Sequence, residues 1–199
     1  MMDGLFRREV LVMAAGSLLA ACTISVQRTT WPDITFQHRR PISLGVHGIG
    51  FADVSSTQAI APPTRDIRYS LPVSPPAIMR RWSQERLHAL GGPGRAEVIL
   101  SENHFIEVPL DTTDGVEGFF INDQSERFEG VLGARVEIVD DPSGQGFVEA
   151  RVTASRTVPE NASLNEREQV LYDMVHSIVM ALDERLEQEI RANLQRWVA

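Results

Sequence analysis

The chain has 199 residues and a formal net charge of −8, from 19 basic and 27 acidic residues. Its length suits one ordinary domain, and its 43% content of hydrophobic residues is enough to build a core. The acidic balance argues against nucleic acid as a partner. The single cysteine excludes a disulfide within the chain.

The chain begins with a pattern typical of a secretory signal. Arg7 and Arg8 precede an apolar run over residues 10–21, which ends in Leu19-Ala20-Ala21-Cys22. This run is well short of the roughly 20 residues that cross a bilayer, and paired arginines at the start of a chain are unusual for a buried helix. A positive end, a short apolar segment and small residues therefore predict a signal peptide over residues 1–21.

The motif Leu19-Ala20-Ala21-Cys22 resembles the lipobox of bacterial lipoproteins. The resemblance implies cleavage between Ala21 and Cys22, a diacylglyceryl group on the Cys22 thiol, and acylation of the new amino terminus. Two or more acyl chains hold a protein stably on a membrane. Aspartate after the cysteine favours the inner membrane in many Gram-negative bacteria, and Thr23 stands there instead, so we expect the periplasmic face of the outer membrane. Arg7-Arg8 also resembles a twin-arginine signal, which leaves the export route open.

The segment after the cysteine shows no sustained periodicity. Residues 23–41 mix polar side chains with Trp31 and Pro32. We predict a lipidated tether over residues 22–41, which could span about 60 Å when fully extended. A single periplasmic domain is predicted over residues 42–199.

The first half of the predicted domain contains two strands and a helix. Alternating apolar residues predict a strand over residues 42–46, continuing toward Val54 past weakening glycines, and another over residues 67–73. Ser74-Pro75-Pro76 is typical of a helix start, and apolar residues at helical spacing extend that helix to Leu90, before a glycine-rich stop.

The second half of the predicted domain shows clearer alternation of apolar and polar residues. Residues 97–101 and 105–110 predict one strand or two. Apolar and polar residues alternate over residues 128–138 and 148–154, on either side of the turn Asp141-Pro142-Ser143-Gly144. This pattern predicts a hairpin with one solvent-exposed face.

A long helix closes the chain. Ser163-Leu164-Asn165-Glu166 has the spacing of a capping box, and an apolar stripe follows it for about nine turns. These elements predict an α+β fold with a mainly antiparallel sheet, two helices packed on one face and a long C-terminal helix. The last part of the helix, up to Trp197, is expected to extend beyond the end of the sheet. By default, we expect other residues of the same chain to cover its apolar side chains.

Catalytic, metal and cofactor sites are not predicted. The five histidines are scattered, and none has a partner at ligand spacing. No serine occupies a Gly-x-Ser-x-Gly motif, and the single cysteine is committed to lipid.

For one segment two interpretations are open, contact with a partner and a lid over the sheet. Phe119, Phe120 and Ile121 lie in a glycine-flanked connection, and adjacent side chains of an extended chain point in opposite directions. One apolar side is therefore left for a protein or membrane contact. Alternatively, the segment folds back as a lid over the open face of the sheet.

In element order, residues 42–197 look like small α+β periplasmic lipoproteins, namely auxiliary lipoproteins of ABC-type lipid transport systems and lipopolysaccharide-assembly lipoproteins. The resemblance implies a non-enzymatic accessory or scaffold for an envelope protein partner. Strand addition at an open sheet edge is one means of docking. A module that binds a lipid or another apolar ligand, and an enzyme of unrecognised type, remain alternatives.

Overall fold

The computed structural model describes residues 30–55, 62–110 and 124–199. Within these ranges the chain forms seven strands, a 3₁₀ turn (Arg68–Ser70) and two helices. The strands are β1 (Ile42–Leu44), β2 (Ile49–Asp53), β3 (Arg65–Asp66), β4 (Leu87–Ala89), β5 (Arg95–Pro109), β6 (Gln124–Val139) and β7 (Gly146–Pro159). The helices are α1 (Pro75–Arg86) and α2 (Leu164–Asn193).

The main sheet has the strand order β2-β5-β6-β7, and β3 also pairs with β5. The long strands β5, β6 and β7 are antiparallel neighbours, whereas β2 runs parallel to β5. Because β6 occupies one side of β5 over its whole length, β2 and β3 share the other side. The described sheet therefore has β7 at one edge and β2 with β3 at the other.

Strands β1 and β4 form a separate parallel pair. The other side of β1 receives the end of the chain, where Leu44 bridges Val198 and the N–H of Ala199 donates to the Ser43 carbonyl at 3.1 Å. The predicted strand from residue 42 toward Val54 is thus two strands, interrupted before Ile49. This break falls in the glycine-containing stretch that was expected to weaken it.

Both helices pack on one face of the main sheet, which confirms the predicted α+β fold. Trp82 of α1 and Met174 and Leu182 of α2 are fully buried beside the inward-facing side chains of β5, β6 and β7. The opposite face of the sheet carries charged side chains in ion pairs. Arg135 lies 3.0 Å from Glu137 and 3.2 Å from Glu149, as expected for a hairpin with one wet face.

The capping box is confirmed at the start of α2. The Ser163 hydroxyl accepts from the Glu166 N–H at 3.3 Å, and the Glu166 carboxylate accepts from the Ser163 N–H at 2.7 Å. Both donors would otherwise lack a partner in the first helical turn.

The predicted strand over residues 67–73 is wrong. Only Arg65 and Asp66 form a strand, and the chain then turns, with the Ser70 N–H donating to the Ile67 carbonyl at 2.9 Å. The Arg68 side chain returns to the Asp66 carboxylate, with its Nη2 at 2.6 Å from Oδ2. Tyr69 is consequently 87% exposed, so the apolar alternation does not correspond to one buried face.

Helix α1 ends four residues before its predicted end at Leu90. Leu87 already has an extended backbone and begins β4, where it pairs with Ile42 of β1. A strand partner that lies 45 residues away in sequence therefore ends the helix before the glycines do.

The expected overhang of the C-terminal helix is covered by the same chain. Strand β6 is 16 residues long and extends beyond the predicted strand over residues 128–138 at both ends, so the sheet continues beneath the helix. Leu186, Ile190 and Leu194 are at most 1% exposed, and the Trp197 indole N–H donates to Asp141 at 2.7 Å.

Candidate functional site

The residues predicted to carry function lie outside the described residues. This applies to the cleavage site at Ala21 and Cys22, and to Phe119, Phe120 and Ile121. Their roles stay predictions. The described residues instead show how the segment after the anchor joins the body, and which surfaces the body offers.

Residues 31–41, here called the N-terminal strap, are packed against the body. Ile34 is 3% exposed and Phe36 is fully buried. The Phe36 N–H donates to Glu85 of α1 at 2.6 Å, and the Trp31 ring stacks on Tyr172 of α2 at 5.1 Å. The predicted tether over residues 22–41 is therefore too long, because its second half belongs to the domain. The signal for this was the pair of apolar residues two positions apart, which is typical of a short extended segment with one buried side.

A buried charge cluster ties the strap to both helices. The side chains of Arg86 in α1 and Asp183 in α2 are 0% exposed, with Arg86 Nε 2.6 Å from Asp183 Oδ1. The Trp82 indole N–H donates to the same oxygen at 2.8 Å. From the strap, Arg39 Nε lies 3.5 Å from Asp183 Oδ2, and the Arg40 carbonyl accepts from Arg86.

Glu187 completes the cluster by pairing with Arg86. Burial alone would raise the pKa of Glu187. Hydrogen bonds from Arg191 and Arg86, together with the charge of Arg86, outweigh burial and lower the pKa below its usual value. The cluster holds three segments together, and its two central side chains, Arg86 and Asp183, are closed off from solvent and from any ligand.

The two edges of the main sheet differ in what they offer a partner. On β7, Arg185 of α2 donates to the Arg151 carbonyl at 2.6 Å, and Arg156 donates to the Ser155 carbonyl at 2.9 Å. Arginine side chains therefore occupy backbone acceptors at this edge. Charged groups at a sheet edge oppose the addition of another strand.

The β2 edge borders a groove of about 520 Å³. Ile49 and Phe51 of β2 form one side, and the C-terminal half of α1 with β4 forms the rest. The Arg80 guanidinium lies 4.8 Å from the centre of the Phe51 ring. The β2 side chains are half-buried, so the groove combines apolar surface with a cation.

Smaller grooves lie elsewhere on the described surface, including one of about 350 Å³ on the open face of the sheet, beside Glu102 and Arg151. One of about 420 Å³ lies between the start of the strap and the start of α1, beside Trp31 and Val73. Another, of about 280 Å³, lies at the start of α2, with Phe128 and Leu171 in its lining.

Two further features concern metal binding and membrane spans. Across residues 30–55, 62–110 and 124–199, no three His, Cys, Asp or Glu side chains are grouped so as to hold a metal ion. No helix within these ranges has both the length and the apolar character that a membrane span needs.

Comparisons with known proteins leave the family open. No family model matches the chain, and no curated protein matches it at a significant level. Among solved structures, the chain is similar to rare lipoprotein B from Shewanella oneidensis, with a TM-score of 0.39 and 7% sequence identity. The similarity covers 73% of this chain and 95% of that one. Likeness at this level establishes neither a shared fold nor a shared function.

Proposed function

We propose that this chain is a non-enzymatic lipoprotein, anchored through acyl chains on Cys22 to the periplasmic face of the outer membrane, where it serves as an accessory or scaffold for an envelope protein. The N-terminal motif supports the anchor. The packed strap is the structural observation that supports a role close to the membrane.

The strap shortens the length of chain that can separate the proposed anchor from the body. With the chain packed from Trp31 onward, residues 22–30 alone can separate the acyl chains from the domain. Nine residues span about 30 Å when fully extended, half of the reach of the predicted tether. A body held this close would meet partners in or next to the membrane, rather than partners deep in the periplasm.

The interior favours a docking role over storage of a lipid. Met79, Trp82, Met174 and Leu182 fill the space between the sheet and the helices and are at most 1% exposed. A ligand with long acyl chains would have to displace this core. The surfaces that could bind a partner therefore lie on the outside of the domain.

The anchor is tested by growing a Gram-negative host that expresses the full chain with radiolabelled palmitate. We expect label in the outer-membrane fraction for the parent chain and for the control Thr23→Ser. Cys22→Ser should lack label and retain residues 1–21, because the thiol is the acceptor. Thr23→Asp should move the labelled protein to the inner membrane. Label on Cys22→Ser would refute the anchor.

A further inference from the structure

We propose that the groove between β2 and α1 receives an extended segment of a partner protein, which adds as a strand to β2 and places an acidic side chain against Arg80. This inference rests on the proposed function, since it names the surface through which the scaffold would dock. It assigns a site and a kind of partner that neither the sequence motif nor the comparisons supply.

The backbone of β2 has a side that faces away from β5. The Gly48 carbonyl accepts from β5 and the Val54 N–H donates to β5, both at 3.0 Å. Backbone groups alternate in direction along a strand, so Ile49 and Phe51 direct their N–H and C=O groups away from β5. In the described part of the chain, β5 is the one strand that pairs with β2. Such outward groups are a template for an added strand.

The groove has the size and lining of a site for an extended chain. Its volume of about 520 Å³ is the largest of the grooves described above. Strand β2 has five residues and offers about 17 Å of edge, at about 3.3 Å per residue. Ile49 and Phe51 supply apolar contact from the strand, while the exposed Gln84 and His88 supply polar groups from α1 and β4. Alternate side chains of an added strand would meet these walls.

Arg80 indicates the charge of the partner. The arginines on the open face of the sheet, such as Arg135 and Arg151, lie within 3.2 Å of a glutamate. Among the described residues, Arg80 has no carboxylate within ion-pair distance, and its guanidinium lies over the Phe51 ring. In a chain of net charge −8, a cation without a carboxylate, placed over an apolar groove, favours an acidic side chain.

The opposite edge of the sheet, β7, is less suited to strand addition than β2. The carbonyls of Arg151 and Ser155 on β7 already accept from arginine side chains. An added strand would have to displace those donors, whereas no such displacement is needed at β2. An added strand would therefore bind at the β2 edge in preference to the β7 edge.

The experiment places a photoreactive phenylalanine analogue at Gln84 in the full, membrane-anchored chain. A matched chain carries it at Thr153, which is exposed on β7. After irradiation of intact cells, the crosslinked peptide is identified by mass spectrometry. We expect an adduct from Gln84, and none from Thr153, with a strand-forming segment of an envelope protein that contains Asp or Glu. Arg80→Glu should lower the adduct yield about tenfold or more, because like charges oppose docking. Arg80→Lys and the β7-edge control Arg156→Glu should retain it.

Several outcomes would overturn the inference. These are an adduct with a lipid or with a second copy of this chain, a segment without acidic residues, equal yields from Gln84 and Thr153, and no adduct at all. Thermal melting of Arg80→Glu, expected to equal that of the parent, shows that lost yield is not lost folding. Palmitate label is read in the same cells, so labelled protein without the adduct refutes the groove alone, whereas unlabelled protein refutes the proposed anchor.

Discussion

Arg86 and Asp183 show how two charges can be kept inside a small domain. Each is fully buried, and each has further polar partners, including Trp82 and Glu187. A buried ion pair adds little net stability compared with apolar residues, but removal of one partner leaves an uncompensated charge. Sequence alone could not pair them, because 97 residues separate them and each occurs in an ordinary helical pattern.

Substitution of Asp183 should therefore be strongly destabilising. We expect Asp183→Asn to lower the free energy of unfolding by about 3–5 kcal/mol, because Arg86 would stay buried with its charge only partly balanced. Glu184→Gln on the same helix removes an exposed partner of Arg39, and should lower it by less than about 1 kcal/mol. Urea unfolding followed by tryptophan fluorescence measures both. Equal losses would contradict this account of the cluster.

Asp66 should contribute to acid sensitivity. A side-chain hydrogen bond from Arg68 outweighs burial and lowers the pKa of Asp66 below its usual 3.8. A carboxyl whose pKa is lower when folded stabilises the protein above its unfolded pKa, and this stability is lost as the pH falls through the folded pKa. Asp66→Asn should therefore lose less stability than the parent between about pH 5 and about pH 2. Arg68→Leu should do the same, and unchanged slopes in urea unfolding across this range would argue against the pair.

At the level of elements, local signals were reliable and distant ones were not. The capping box at Ser163 and the hairpin around Asp141 depend on residues within a few positions, and both are confirmed. One local pattern failed, because Arg68 folds back on Asp66, two positions before it. The end of α1 depends on β1, which lies 45 residues away in sequence. The β2 groove could not be predicted for the same reason, because Phe51 and Arg80 meet only in the folded chain.

Gly130 lets α2 approach β6 closely. A Cβ at this position would lie 2.7 Å from Ile178 Cδ1 and 2.7 Å from the Phe105 ring. We expect Gly130→Ala to lower the free energy of unfolding by about 1–3 kcal/mol, the usual effect of overpacking. Gly48→Ala is the control, since nothing lies within 4 Å of its Cβ, and it should change stability by less than about 0.5 kcal/mol. Denaturant unfolding measures both variants. Equal losses of unfolding free energy for Gly130→Ala and Gly48→Ala would contradict the close packing at Gly130.

The N-terminal strap links the whole molecule to its expected anchor. Irregular composition predicted a free tether, since composition does not reveal that Ile34 and Phe36 are buried and that their backbone groups bond to side chains of α1. In consequence, any force on the amino-terminal side is transmitted to the helices through the buried core and the charge cluster. The anchor residue itself stays a sequence prediction.

Removal of the buried strap ring tests this arrangement. Phe36→Ala should lower the free energy of unfolding by about 3–5 kcal/mol, as for other buried aromatic residues. His38→Ala, at an exposed position of the strap, should change it by less than about 0.5 kcal/mol. Protease cleavage near residues 37–40 should become faster for Phe36→Ala alone, because a released strap is accessible. A melting temperature unchanged by Phe36→Ala would contradict the packed strap and support the predicted tether over residues 22–41.

Growth of a fibril from native sheets requires two receptive edges on every subunit. Within the described part of the main sheet, Arg185 and Arg156 are bonded to carbonyls of β7, so β7 is the less receptive of its two edges. In a dimer joined through the two β2 edges, the β7 edges with their bound arginines would face outward. Further strand addition would then be disfavoured, and polymerisation would stop at the dimer. If the proposed anchor holds the protein on a membrane, crowding in that plane would therefore favour closed pairs over filaments of this sheet.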